Sequence, residues 1–176
     1  MIALHKDVKA LFKSLLSPNM VISKIQDLSL LDLRNKGYDT LLLDMDNTFV
    51  GRKSVSVSLS ISKWIEEAKE LNFSVYIVTN NVHKKRLERI STPLNISSLM
   101  DAKKPFVSNI QEMAYQYNID FKQAVFVGDQ LFTDVVSANL LGCFSVLTDP
   151  VEKKLQFIKT FQRDIEQYIR FKWLAA

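Results

Sequence analysis

The chain has 176 residues, 47% of them hydrophobic and 24% charged, with a formal net charge of +4. That length and balance fit one globular domain built on a single core, and exclude a low-complexity or fibrous chain. Its one cysteine, Cys143, excludes an internal disulfide and a paired-thiol metal site, and is expected to be a buried core thiol.

Charge divides unevenly along the sequence. Residues 1–36 carry six Lys/Arg against three Asp/Glu, and residues 152–176 carry the same numbers. The middle, residues 37–151, carries eleven basic and thirteen acidic residues. The expected organisation is a single domain over 1–176, with a core at 37–151 between two basic flanks. No apolar run approaches the ~18 residues of a membrane span. No signal-peptide core is evident either, so a cytoplasmic location is expected.

In chain order, Leu4, Val8, Leu11, Phe12 and Leu15 line one face of a first helix, with Lys6, Lys9 and Lys13 opposite and Ser17-Pro18 ending it. Strands are expected at Thr40–Met45, Ser74–Val78, Ala124–Val127 and Phe144–Leu147, where short apolar runs occur. Helical patterns separate them: Ile61 to Leu71, a stretch after Asn80-Asn81 through HKKRLERI, Phe106 to Tyr117, and one after Thr133 ending at Gly142. Ile158, Phe161, Ile165 and Ile169 form a last amphipathic stripe, with Lys159, Arg163 and Arg170 to one side. Such basic amphipathic ends suit packing on the core or reversible contact with an anionic membrane face.

Alternating strands and helices indicate βα units and a parallel sheet, so the fold class is α/β. Ligands of such sheets bind beyond the carboxyl ends of the strands. Polar residues gather there: Asp44 and Asp46 after the first strand, Thr79 and Asn80 after the second, Gly128, Asp129 and Asp134 after the third. Lys103-Lys104-Pro105 precedes a helix between the last two positions. In extended chain Asp44 and Asp46 project together while Met45 points away. Two such close carboxylates repel, and Mg²⁺, a hard cation that takes oxygen ligands, would relieve the repulsion, with Asp129 and Asp134 supplying further charge. An EF-hand is excluded, because Phe49 stands where that loop needs Gly and Val55 where it needs Glu.

DMDNT after an apolar strand, VTNN after the next, KKP and then VGDQLFTD resemble, in order, the four motifs of the haloacid dehalogenase-like (HAD) phosphatases. They look most like subfamily IIIA and its YqeG-type branch, which shares the SP-x-x-V lead-in, the KP dipeptide and GDQ-x-x-TD. The resemblance implies a three-layer Rossmann-like HAD fold, a mostly parallel sheet with helices on both faces. It further implies that Asp44 is the nucleophile, forming an aspartyl phosphate, and that Asp46 is the general acid and base. Thr79, with Asn80 beside it, and Lys104 would bind the phosphoryl group. Asp44, the Asp46 carbonyl and Asp129 would hold Mg²⁺, with Asp134 as a further ligand or supporting acid.

Lys104 is preferred over Lys103 because the family's lysine precedes the proline. Phe49 departs from the usual Leu or Ile, which bears on pocket shape. His83 is read as a solvated loop residue, and Lys84, Lys85 and Arg86 as an exposed helix face. Only 35 positions separate Asp44 from Thr79, and 25 separate Thr79 from Lys104, which leaves no room for a separate cap domain.

An uncapped site favours a large substrate whose phosphate protrudes. The YqeG-like branch is similar to eukaryotic phosphatases acting on phosphatidylglycerophosphate in the route to cardiolipin. The expectation is therefore a Mg²⁺-dependent lipid-phosphate phosphatase, peripheral at the cytoplasmic membrane face. The alternatives are a phosphatase of a soluble phosphomonoester whose site is covered by oligomerisation, and a non-catalytic binding protein on the same fold. Nucleic acid is not expected, because the basic residues are not interleaved with aromatics near the motifs.

Overall fold

The computed structural model describes residues 11–152. Six parallel strands form one sheet: β1 (Met20–Ile22), β2 (Thr40–Leu43), β3 (Ser74–Val78), β4 (Ser97–Leu99), β5 (Ala124–Gly128) and β6 (Phe144–Thr148). Their spatial order is β1-β6-β5-β2-β3-β4. The helices are α1 (Leu30–Asn35), α2 (Leu59–Glu70), α3 (Lys84–Leu94), α4 (Ser108–Tyr117) and α5 (Val136–Leu141). Among the described residues, no helix is long and apolar enough to cross a membrane.

The two-residue period of the strands divides the core in two. Leu41, Leu43, Val75, Ile77, Val125 and Val127 face the side covered by α1, α2 and α3. Leu42, Val78, Ala124 and Phe126 face the other, against Ile110 and Met113 of α4 and Ala138 of α5. Burial on both faces explains why β2 and β5 read as continuous apolar runs. This is the three-layer α/β arrangement that the sequence implied. Cys143 lies in the second cluster, and burial pushes its thiol up to about 12.

Chain direction across the sheet reverses at β2: β3 and β4 lie to one side, β5 and β6 to the other. That reversal is the switch point where open α/β sheets bind ligands. The pairing Leu43↔Val127 places the residues that follow β2 and β5 side by side.

Several boundaries differ from the sequence reading. β2 stops at Leu43, because Asn47 at φ +71° turns the chain within the next four residues. Met45 still points into the core, fully buried, so the alternation persists past the ladder. α3 begins at Lys84, because Asn81 Oδ1 accepts the His83 amide at 2.8 Å and spends the capping group on a turn ahead of the helix. Before α5, Leu131–Val135 forms a π-helical turn. β1, β4 and α1 were not expected: β1 and β4 have three residues each, and α1 has six. Of the first stripe Leu4 and Val8 lie outside the described residues; residues 11–15 are helical as expected, but Leu11 and Phe12 are exposed and Leu16 is the residue that packs on the core. The stripe from Ile158 to Ile169 lies outside the described residues.

Candidate active site

Asp44 leaves β2 with its amide bonded to the Val127 carbonyl at 2.9 Å, which fixes its backbone against β5. The Thr48 hydroxyl donates to Asp44 Oδ2 at 2.9 Å, and Lys104 Nζ donates to Oδ1 at 2.7 Å. Lys104 also donates to Asp134 Oδ1 at 2.7 Å and to the Val78 carbonyl at 2.8 Å. All three donor positions of its ammonium are thereby used, in a side chain only 2% exposed.

Asp129 stands beside this pair, receiving Asn47 Nδ2 at 3.3 Å. Asp134 Oδ2 accepts the Gln130 amide at 3.0 Å, so the π-helical turn aims that carboxylate at Lys104. Gly128 makes room for it. A Cβ there would sit 2.3 Å from Asp134 Cγ, inside any tolerable contact.

Asp44, Asp129 and Asp134 are all buried, with ligand oxygens within 4.8 Å of one another. Three carboxylates against one ammonium leave an uncompensated negative charge in low dielectric. Burial, then Asp134, pushes the Asp44 carboxyl up to about 6, although Lys104 pulls the other way. Burial, then Asp44 and Asp134, pushes Asp129 up to about 7. Burial alone would lower the Lys104 value, but Asp134 and Asp44 together raise it above that of an ordinary lysine. An all-oxygen, anionic and crowded donor set of this kind fits a divalent cation.

The remaining expected residues gather at the same strand ends. Thr79 is 1% exposed, and its hydroxyl oxygen accepts the Asn81 amide at 3.1 Å, leaving the proton for another acceptor. Asn80 clamps the Lys104 backbone from both ends of its amide, donating to the carbonyl at 2.9 Å and accepting the N–H at 2.8 Å. Lys103, by contrast, is 61% exposed and lies 3.9 Å from Asp101.

Sequence and fold comparisons bear on what this arrangement does. The family model described as mitochondrial PGP phosphatase matches residues 3–152. The chain belongs to that family, within the YqeG-type HAD phosphatases.

A relative of this phosphatase, the probable phosphatase YqeG of Bacillus subtilis, is 29% identical over 159 residues, covering 90% of this chain and 92% of that one. The chloroplastic/mitochondrial phosphatidylglycerophosphate phosphatase 1 of Arabidopsis thaliana is 24% identical, matching 85% of this chain but only 47% of its own length. Among solved structures, the cobalt-bound deoxy-D-mannose-octulosonate 8-phosphate phosphatase of Haemophilus influenzae shares the fold. Its TM-score is 0.52 at 12% identity, over 77% of this chain and 89% of that one.

Sequence reasoning missed four residues of this HAD phosphatase site: Asn47, Thr48, Asn81 and Arg86. Arg86 does not belong to an exposed face. Its side chain is 12% exposed and reaches Asp46 Oδ1 at 2.7 Å, as an ion pair outside hydrogen-bond alignment. Its other nitrogens donate to the Ser54 carbonyl at 2.8 Å and the Gly51 carbonyl at 2.9 Å. Asn81 Nδ2 donates to Asp46 Oδ2 at 2.6 Å. Asp46 is thus held from both oxygens at the mouth of the cleft. The signal for Asn81 was present in VTNN, and that for Asn47 and Thr48 in DMDNT. Arg86 had none, because nothing local distinguishes it from Lys84 and Lys85.

Proposed function

We propose that the protein is a Mg²⁺-dependent phosphatidylglycerophosphate phosphatase that works through an aspartyl phosphate on Asp44. The observation that carries the chemistry is the buried Asp44–Lys104–Asp134 chain beside Asp129. Family membership favours the lipid, and so do the short connections around the mouth, none of which forms a cap domain among the described residues.

In this reading an Asp44 oxygen attacks phosphorus while the bond to the leaving oxygen breaks. Asp46 gives that oxygen its proton. Asp46 then takes a proton from water, the water oxygen attacks phosphorus, and the bond to Asp44 breaks, releasing phosphate and restoring the carboxylate. Lys104 and the Thr79 hydroxyl balance charge on the transferred group. Asn80 keeps Lys104 in place through its backbone. Asp44, Asp129 and the Asp46 carbonyl would hold Mg²⁺, with Asp134 beside them; the ion supplies the positive charge that lets an anionic phosphate approach an anionic nucleophile.

The test measures phosphate release from phosphatidylglycerophosphate in liposomes and from a soluble aryl phosphate. Lipid turnover that requires Mg²⁺ and vanishes in Asp44→Asn is the expected result. Rapid turnover of the soluble ester with none of the lipid overturns the substrate assignment and leaves a soluble phosphomonoester. Undiminished activity in Asp44→Asn overturns the nucleophile.

A further inference from the structure

We infer that the rim of the catalytic mouth is a docking surface for an anionic bilayer, so that the cleft opens onto the membrane. The inference builds on the lipid-phosphate reading and adds where the bilayer is met.

Three connections form the rim: residues 51–58 after β2, 79–83 after β3 and 100–107 after β4. They are one continuous surface. Arg86 ties the first to α3 through the Gly51 and Ser54 carbonyls. The Asp101 amide donates to the Asn81 carbonyl at 3.2 Å, joining the second to the third, and the Asn80 clamp on Lys104 repeats that join. Each connection shows an apolar side chain to solvent. Val55 is 47% exposed, Val82 60%, Met100 36% and Phe106 74%.

Scattered exposed apolar residues are ordinary. These differ in lying on hydrogen-bonded neighbouring loops around one opening, and in the charge between them. Lys53, Lys84, Lys85 and Lys103 are exposed, and Arg52 is half-exposed. Asp46, ahead of the first connection, is paired with Arg86; Asp101 is the one acid within the three connections and the first turn of α3, and the exposed Glu152 brings its carboxylate against Gly51. Glu88, a turn further along α3, lies 3.8 Å from Lys84. Arg52 lies near enough to Asp129 to pull its carboxyl down, so the four exposed lysines stand against Asp101, Glu88 and Glu152, and the rim keeps a net positive charge that complements an anionic surface.

Single apolar side chains spaced by long, flexible lysines suit a bilayer, which receives side chains without matching their shape. A protein partner would need a deep anchor pocket or a compact apolar centre. The uncapped cleft agrees, because a phosphate fixed to a membrane reaches a buried Asp44 only when the mouth lies against that membrane.

The experiment uses the full chain and phosphatidylcholine vesicles with or without phosphatidylserine, an anionic lipid carrying no phosphomonoester. The wild type is expected to sediment with the anionic vesicles only. Lys84→Gln with Lys85→Gln should weaken binding by about fivefold per lysine. Phe106→Ser with Val82→Ser should weaken it as well. Both double variants should keep wild-type turnover of a soluble aryl phosphate, which shows that they are folded. They should also keep turnover of the lipid phosphate in detergent micelles, and lose it in vesicles. Wild-type vesicle binding in both double variants overturns the inference and leaves the rim to a protein partner; no binding by the wild type overturns it too. Rim-dependent binding without any turnover of phosphatidylglycerophosphate leaves the docking surface standing and removes the lipid as substrate.

Discussion

At the scale of single residues, Arg86 and Lys104 divide the site's positive charge. Lys104 is sealed between Asp44 and Asp134, whereas Arg86 stands at the mouth on Asp46 and two carbonyls. A guanidinium makes three such contacts at once because its donors are fixed in a plane, and an ammonium on a flexible stem cannot reproduce them. Arg86→Ala should therefore lower kcat by about 10- to 100-fold through misplacement of Asp46, with KM little changed. Arg86→Lys should restore only part of the loss. A rise in KM at unchanged kcat would show instead that Arg86 meets the substrate directly.

At the scale of elements, the turn after β5 is the most constrained piece of the chain. Gly128→Ala brings a methyl to 2.3 Å from the Asp134 carboxyl carbon, and Asp134 is anchored by the Gln130 amide and Lys104. The variant is expected to fold with a lower Tm and a weakened affinity for the divalent cation, read by isothermal titration. Unchanged affinity would show that Asp134 acts apart from the ion.

The four longer strands were legible because their largely buried residues leave apolar runs, and the helices between them because their apolar residues recur at helical spacing. The Asp44, Thr79, Lys104 and Asp129 positions were legible because strand ends converge by topology. What escaped was set by contacts distant in sequence or by brevity. β1 and β4 are too short to show a period, the end of β2 depends on the turn at Asn47, and Arg86 acquires its partner across 40 residue positions.

At the scale of the whole molecule, the three-to-one charge imbalance becomes a pH effect on stability. Asp44 and Asp129 ionise at about 6 and about 7 in the folded chain, against 3.8 as the ordinary value. Between those limits the folded state holds more protons than the unfolded one, so stability falls as pH rises. Lys104 stays protonated across the window and adds no slope of its own. The metal-free protein should therefore show a higher Tm at pH 5 than at pH 8, by differential scanning calorimetry. Added Mg²⁺ should narrow the gap, because binding is strongest where the carboxylates are ionised. A metal-free Tm that rises from pH 5 to pH 8 would contradict the buried cluster.

The pairing of β2 with β5 has a consequence for how such a protein changes over time. Asp44 and Asp129 issue from two adjacent central strands whose register is locked by burial on both faces. The loops at the mouth are held by Arg86, Asn80 and Asn81 and by a few backbone bonds, whereas Val55, Val82 and Phe106 point to solvent and carry none of that anchoring. Reaction and preference are therefore separable inheritances: loop sequences can drift, lengthen or be exchanged to suit a new phosphate carrier while the bond-breaking apparatus is passed on unaltered. Exchanging the outward positions of the three mouth segments for those of a relative with a different substrate, with Thr79, Asn80, Asn81 and Lys104 kept, should transfer the choice of target and spare the chemistry.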